Sequence, residues 1–132
     1  MTTRTAKHAP YYYWQRMVAE FKGARGCRVE YFQGNLSLTY HNTKVADWDT
    51  LGGTITLNHG GWLTYYTKER INRFVRVLDL GAAVYQRRKR WFVMDVGTDK
   101  DTEWDTLDGG YNPVYTLETT LVQPKTEKEH VA

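Results

Sequence analysis

The sequence predicts an α+β domain in which a small antiparallel β-sheet packs against one amphipathic helix. Aromatic residues make up 14% of the 132 residues, with ten Tyr and five Trp, and such side chains pack well on a pleated sheet. Apolar and polar residues alternate over 28–40 and again over 54–58, which is the period of a half-buried strand. Other apolar residues follow the helical spacing i, i+3, i+4 and i+7, namely Ile71, Phe74, Val75 and Leu78. A chain of this length suits a single domain, 1–132, and we expect about six to eight short strands and a second helix at the N-terminus.

The N-terminal helix is expected over 10–22. Pro10 is suited to the first position of a helix, where its missing N–H costs nothing, and Gly23 offers a stop. The segments 1–8 and 124–132 are polar and are predicted to be flexible tails.

The first strands are predicted as a meander. Gly34 suits the tight turn of a hairpin between 28–32 and 36–40. Short strands are then expected over 44–48, 54–58 and 62–66.

The amphipathic helix is predicted to begin at Thr67, with the Thr67 hydroxyl as N-cap, and to end near Gly81. Its apolar side should face the sheet, and we expect Trp62 to be largely buried beside it. A second hairpin is predicted from 84–87 and 90–94, around Arg88 and Lys89. The acidic stretch 95–110 is predicted as loop, and a last strand over 115–122.

Charge is unevenly distributed along the chain. Residues 68–90 contain eight basic and two acidic side chains, and residues 95–108 contain six acidic side chains and one lysine. A basic segment of this kind indicates a polyanionic partner. Alternatively, the two segments face each other in the fold and neutralise each other.

The basic segment supplies the candidate binding residues. On the helix the cations recur every three residues, as Arg70, Arg73 and Arg76. On the second hairpin four cations are consecutive and two aromatic residues flank them: Arg87, Arg88, Lys89 and Arg90, with Tyr85 and Trp91. Guanidinium groups bind phosphates bidentately and aromatic rings stack on unpaired bases. If helix and hairpin are neighbours, these residues form one nucleic-acid or partner-binding surface; the alternative is a solvated helix face and hairpin tip.

Catalytic and metal-binding signals are weak. The alternating carboxylates Asp99, Asp101, Glu103 and Asp105 resemble a calcium loop, but Trp104 stands where the required glycine should be and Gly110 where the bidentate acid should be. The four histidines have no metal spacing. The sequence has no catalytic motif, and we expect no catalytic residue, no cofactor and no metal. The single cysteine, Cys27, allows no internal disulfide and fits a reducing compartment.

One segment carries a family resemblance. Residues 57–72 read LNHGGWLTYYTKERIN and resemble a signature of small accessory proteins of tailed bacteriophages, in which Gly-Gly-Trp is followed by Thr-Lys-x-Arg-Ile-Asn at a helix start. The resemblance extends upstream to 41–46 and downstream to 84–86 and 91–93. Tyr66 stands where a threonine is usual, and Arg88-Lys89-Arg90 fill a turn that tends to carry glycine in that family.

The resemblance implies a phage gene product in the cytoplasm of the host bacterium, and the family has no general activity. We expect an accessory protein that binds nucleic acid or a host nucleoprotein or defence complex through the basic surface, as in host takeover or anti-defence. The alternatives are a structural or assembly protein of the virion and a metal-dependent nuclease that uses the acidic loop. No stretch approaches the roughly 18 apolar residues of a membrane span, so no membrane partner is expected.

Overall fold

The fold was analysed in a computed structural model, which describes residues 4–95, 100–104 and 113–121. Within these residues there are two helices and nine strands. In chain order they are β1 (Arg4–Ala6), α1 (Pro10–Glu20), β2 (Cys27–Phe32), β3 (Asn35–Tyr40), β4 (Thr43–Asp49), β5 (Thr54–Asn58), α2 (Tyr65–Leu78), β6 (Ala82–Arg87), β7 (Arg90–Asp95), β8 (Lys100–Glu103) and β9 (Val114–Leu121). The predicted α+β class with an N-terminal helix is confirmed.

The strands form two sheets. The larger sheet has the order β1-β9-β5-β4-β3-β2, and the smaller sheet has the order β6-β7-β8. All pairs are antiparallel except β1 with β9, which is parallel. The strand Arg4–Ala6 lies within the segment 1–8 that the sequence predicts to be flexible, and the tail 124–132 lies outside the described residues.

The core lies between the larger sheet and the two helices. The four apolar residues of α2 that follow the helical spacing are at most 1% exposed, as predicted. They meet buried side chains from the sheet and from α1, including Leu38, Trp48, Ile55 and Met17. Full burial of an aliphatic or aromatic side chain is worth roughly 1.5–3 kcal/mol, so this stripe fixes α2 against the sheet.

The start of α2 differs from the prediction. The helix begins at Tyr65 because the hydroxyl of Thr64 accepts a hydrogen bond from the Thr67 N–H at 3.2 Å. The predicted strand over 62–66 is therefore wrong, and Thr67 is a buried first-turn residue rather than the N-cap. Trp62 lies in the loop before the cap, and its side chain is 62% exposed rather than buried.

Two other elements differ from the expectation. The helix ends at Leu78, and its C-cap is Asp79, whose backbone is left-handed (φ 55°), rather than Gly81 two residues later. The acidic stretch predicted as loop contains the strand β8, which pairs with β7. This strand, Lys100–Glu103, has no apolar and polar alternation in its sequence. It lies at the edge of the small sheet, where charged side chains such as Asp101 and Glu103 are well tolerated.

Candidate nucleic-acid interface

Arg73 holds the two helices together. Its Nε atom lies 2.8 Å from the Glu20 carboxylate at the end of α1, and its Nη2 atom donates to the Glu20 carbonyl at 2.6 Å. The guanidinium carbon is also 4.7 Å from the centre of the Phe21 ring. Because these contacts use much of the donor fork, Arg73 is a packing residue of the α1–α2 junction.

Arg70 is also engaged within the fold. Its Nη1 atom forms an ion pair with Glu69, and its guanidinium carbon lies 5.2 Å from the Tyr40 ring and 5.7 Å from the Tyr66 ring. Its side chain is only 15% exposed. Of the three predicted helix cations, only Arg76 is exposed.

The helix arginines and the hairpin do not share one surface. The flank of α2 that faces the hairpin carries Asn72, whose amide donates to the Val84 carbonyl at 2.8 Å and accepts from the Val84 N–H at 2.6 Å. One turn earlier, Lys68 Nζ lies 3.2 Å from Gln86 Oε1. Residues two positions apart on a helix point about 200° apart, so Arg70 faces away from the hairpin. Arg76 follows Asn72 by four residues and is on the hairpin side of α2. It lines a recess with Ala82 and Met94, at the end of the β6–β7 hairpin opposite to its turn, so it is not beside residues 87–90.

The β6–β7 hairpin carries its own basic cluster, which we call the hairpin cluster: Arg87, Arg88, Lys89 and Arg90. All four side chains are exposed. Arg88 and Lys89 form the two-residue turn with φ values of 53° and 66°, the backbone of a type I′ turn, which ordinarily takes Asn-Gly. Each non-glycine residue in this left-handed region costs roughly 1 kcal/mol.

An aromatic pair extends the hairpin cluster along the outer face of the small sheet. Tyr85 and Phe92 are paired across the strands, with stacked rings 5.4 Å apart. The Arg87 guanidinium lies over the Phe92 ring at 4.9 Å. Arg87, Arg88, Arg90 and Phe92 line a recess of about 510 Å³, so cations and an aromatic face meet in one concave site.

Trp91, the other aromatic residue predicted for this site, lies on the opposite face. It is 2% exposed and packs against His59 and Trp104, with ring centres 5.4 Å and 5.7 Å away. It belongs to the core beneath the small sheet and cannot stack on a base. Sequence reasoning missed Phe92, although strand alternation from Arg90 places Phe92 with the arginine and Trp91 against the core.

Acidic residues of β8 border the site. The Arg90 guanidinium is 3.0 Å from the Glu103 carboxylate, and Asp101 accepts a hydrogen bond from the Tyr85 hydroxyl. That hydrogen bond raises the pKa of Tyr85 above its ordinary value. Part of the acidic segment therefore does neutralise part of the basic one. Among the described residues, however, Arg87, Arg88 and Lys89 have no carboxylate within ion-pair distance.

The predicted acidic calcium-like loop is only partly visible. Asp99 and Asp105 lie outside the described residues. Within the described part of the chain, no group of three or more His, Cys, Asp or Glu side chains is arranged to hold a metal ion. Neither α1 nor α2 is long and apolar enough to cross a membrane.

Comparison with known proteins places the chain in a phage family. Residues 17–118 match the model of the Kyanoviridae Gp96 protein family, so the chain belongs to this family of cyanophage proteins. No match was found among curated proteins or among solved structures.

Proposed function

We propose that this member of the Kyanoviridae Gp96 family acts by binding single-stranded nucleic acid through the hairpin cluster and the Tyr85–Phe92 pair. The observation that carries the proposal is the recess of about 510 Å³ lined by three arginines and Phe92. The partner is a free strand or a strand exposed by a host nucleoprotein, and the setting is the host cytoplasm during host takeover or defence evasion.

The two parts of the recess suit the two parts of a nucleotide strand. Guanidinium groups bind phosphate oxygens with paired hydrogen bonds. A base that is not paired in a duplex stacks on an aromatic ring or on the plane of a guanidinium. The Arg87 guanidinium already lies over the Phe92 ring, and Phe92 stacks with Tyr85, so an incoming base extends an existing stack instead of building one.

The backbone of the turn supports a role in binding. Asn-Gly would meet the same geometry without strain, whereas Arg88 and Lys89 both adopt positive φ. Strained residues persist where the surrounding structure imposes them and are concentrated at functional sites. Here the residues that cost stability are the two exposed cations of the turn itself, Arg88 and Lys89.

The main test is a salt series. Fluorescence anisotropy of labelled single-stranded and double-stranded oligonucleotides is measured with wild type and with Arg87→Glu/Arg88→Glu/Arg90→Glu. Wild type should bind the single strand more tightly, and log affinity should fall linearly with log salt. The triple variant should lose binding, because three phosphate contacts, each worth roughly 0.7 in the salt slope, are replaced by repulsion.

The matched control reverses three exposed cations elsewhere, Arg16→Glu/Lys22→Glu/Arg25→Glu. It changes the net charge by the same amount, so equal loss of binding in both variants would mean that net charge alone is responsible, and the proposed site would be wrong. Absence of any binding by wild type, to oligonucleotides or to nucleoprotein from host lysate treated with and without nuclease, would also refute the proposal.

The stacking part has its own test. Phe92→Ala should weaken single-strand binding by roughly 1–3 kcal/mol, the range for one base–aromatic stack, with an unchanged salt slope. An unchanged affinity would assign the site to phosphate contacts alone.

A further inference from the structure

A second concave site lies between the N-terminal end of α2 and the β3–β4 turn. The turn between β3 and β4, the loop before α2 and the first turn of α2 enclose a groove of about 420 Å³. Four aromatic side chains line it: Tyr40, His41, Trp62 and Tyr66. Cavities of this size with mainly apolar walls and a few polar groups are the usual form of small-ligand sites.

The glycine turn before α2 brings Trp62 to this groove. Gly60 has φ 61°, and a Cβ atom there would lie 2.8 Å from Thr43 Cγ2. The Trp62 N–H donates to the His59 carbonyl at 2.8 Å, which closes the turn. The loop therefore packs directly on the start of β4, and Trp62 forms one wall while remaining 62% exposed.

The opposite walls are held in place by one cation. The Arg70 guanidinium contacts both the Tyr40 ring and the Tyr66 ring, and its Nη1 atom is fixed by Glu69. Among the described residues no ring-to-ring contact joins Tyr40, Trp62 and Tyr66 with one another. All three rings line the groove, so a flat ligand that enters it meets two tyrosines whose positions Arg70 already fixes.

The polar groups of the groove suit a ligand with both donors and acceptors. Asn42 provides an amide, Thr43 a hydroxyl that can donate or accept, and His41 an imidazole. The Thr64 hydroxyl also lines the groove, but it is occupied by Thr67 at the start of α2. No lysine, arginine, aspartate or glutamate is among the residues that line it. An aliphatic or phenyl anchor from a peptide would make no hydrogen bond to the Asn42 amide or to the Thr43 hydroxyl. The edge of a nucleobase offers donors and acceptors, and its faces offer stacking.

We propose that this groove is a base-binding pocket that takes one unstacked, uncharged nucleobase against the rings of Tyr40, Trp62 and Tyr66 that line it. The base comes from a free nucleoside or nucleotide or from an unpaired position of a strand. The pocket is separate from the hairpin cluster, and neither proposal depends on the other.

The test uses Trp62 as the reporter. The other described tryptophans are buried or half-buried, so nucleosides that enter the groove should quench Trp62 emission with a saturable curve. Adenosine, guanosine, cytidine and uridine are titrated separately, with maltose and a phenylalanine-containing tripeptide as competitors of other chemistry. Saturable quenching by at least one nucleoside is expected, with no quenching by maltose or the peptide.

Two adjacent tyrosines provide the matched variants. Tyr65 and Tyr66 are 66% and 58% exposed, so replacing either should leave the fold intact, but only Tyr66 lines the groove. Tyr66→Ala should weaken nucleoside binding by about fivefold or more, the lower end of one base–aromatic stack, and Tyr65→Ala should not. Gly60→Ala should also weaken it, because the added Cβ displaces the loop that carries Trp62.

A competition experiment in the Arg87→Glu/Arg88→Glu/Arg90→Glu variant distinguishes a base within a strand from a free nucleoside or nucleotide. If an oligonucleotide displaces the nucleoside at lower concentration than the nucleoside itself, the natural ligand is a base within a strand; if it does not compete, the ligand is a free nucleoside or nucleotide. The proposal is overturned if no nucleoside gives saturable quenching, if maltose or the peptide binds instead, or if the two tyrosine variants behave alike.

Discussion

Arginines in α2 and arginines in the β6–β7 hairpin are one residue type used in opposite ways. Arg73 donates hydrogen bonds to the carboxylate and to the carbonyl of Glu20. Arg70 contacts Glu69 and two tyrosine rings. Arg87 at the end of β6 and Arg88 in the two-residue turn are exposed. A cation that is already paired inside the fold has little to offer a phosphate, so spacing along the chain is a poor guide to which arginines bind.

The hairpin arginines can form a binding site only if the buried face of the β6–β7 hairpin holds the hairpin in place. Trp91→Ala removes a side chain that is 2% exposed and packed on His59 and Trp104, and should cost roughly 3–5 kcal/mol of unfolding free energy. Phe92→Ala on the outer face of the same strand is the control and should cost far less. Urea denaturation measures both, and similar losses would mean that the two faces are not distinct.

The helix arginines can be tested by the same measurement. Arg73→Met should destabilise the protein by roughly 1–3 kcal/mol because the Glu20 carboxylate loses its partner, whereas Arg76→Met should change stability by no more than about 0.5 kcal/mol, as for other exposed positions. A double-mutant cycle with Glu20→Gln should give a coupling of roughly 0.5 kcal/mol or more. Additive effects would show that Arg73 is no more engaged than Arg76.

The turn offers a change in which stability and binding move in opposite directions. Arg88→Asn/Lys89→Gly places the preferred residues in the type I′ turn and should raise the unfolding free energy by about 1–2 kcal/mol. It should also weaken binding of single-stranded nucleic acid and flatten the salt slope by roughly 1.4, for two lost phosphate contacts. Arg88→Ala/Lys89→Ala is the control that removes the charges without the stability gain. A more stable variant that binds as well as wild type would show that these cations are only solvated.

Much of the fold follows from local patterns. The alternation in β2–β5 and the i, i+3, i+4, i+7 stripe from Ile71 to Leu78 each specify an element without reference to the rest of the chain, and both are where the sequence predicts them. The β6–β7 hairpin was placed correctly although its turn lacks glycine. In contrast, residues 62–66 are rich in aromatic residues, as strands are, and only the hydrogen bond from the Thr67 N–H to Thr64 shows that a helix begins there.

The candidate site was less predictable because it depends on contacts between distant segments. Nothing local to Arg73 reveals Glu20, which lies 53 residues earlier in the chain. The pairing of β8 with β7, which brings Glu103 to Arg90, depends on the same kind of distant contact. The choice between Trp91 and Phe92, in contrast, is available from strand alternation alone, because Arg90 and Phe92 are on one face of β7 and Trp91 is on the other.

The smallest expected effect concerns two tyrosines whose pKa values are raised for different reasons. Burial raises the pKa of Tyr13, which is on the buried face of α1. The hydrogen bond to the Asp101 carboxylate raises the pKa of Tyr85 on the outer face of the hairpin. In each case the neutral hydroxyl is favoured in the folded state. The stability this contributes is present below the unfolded-state pKa of about 10 and is lost as pH rises through the folded-state value.

Asp101→Asn should therefore lower the pKa of Tyr85 toward its ordinary value and leave that of Tyr13 unchanged, because an amide oxygen without charge favours the neutral phenol less than a carboxylate does. Ring resonances of the two tyrosines followed by NMR between pH 8 and pH 12 give both values in one titration, with Tyr13 as the internal control. Removing this acid also leaves the outer face less negative, so single-strand affinity at low salt should rise slightly. If the pKa of Tyr85 did not move, β8 would not be docked on the hairpin in solution, and the border of the binding recess would lie elsewhere.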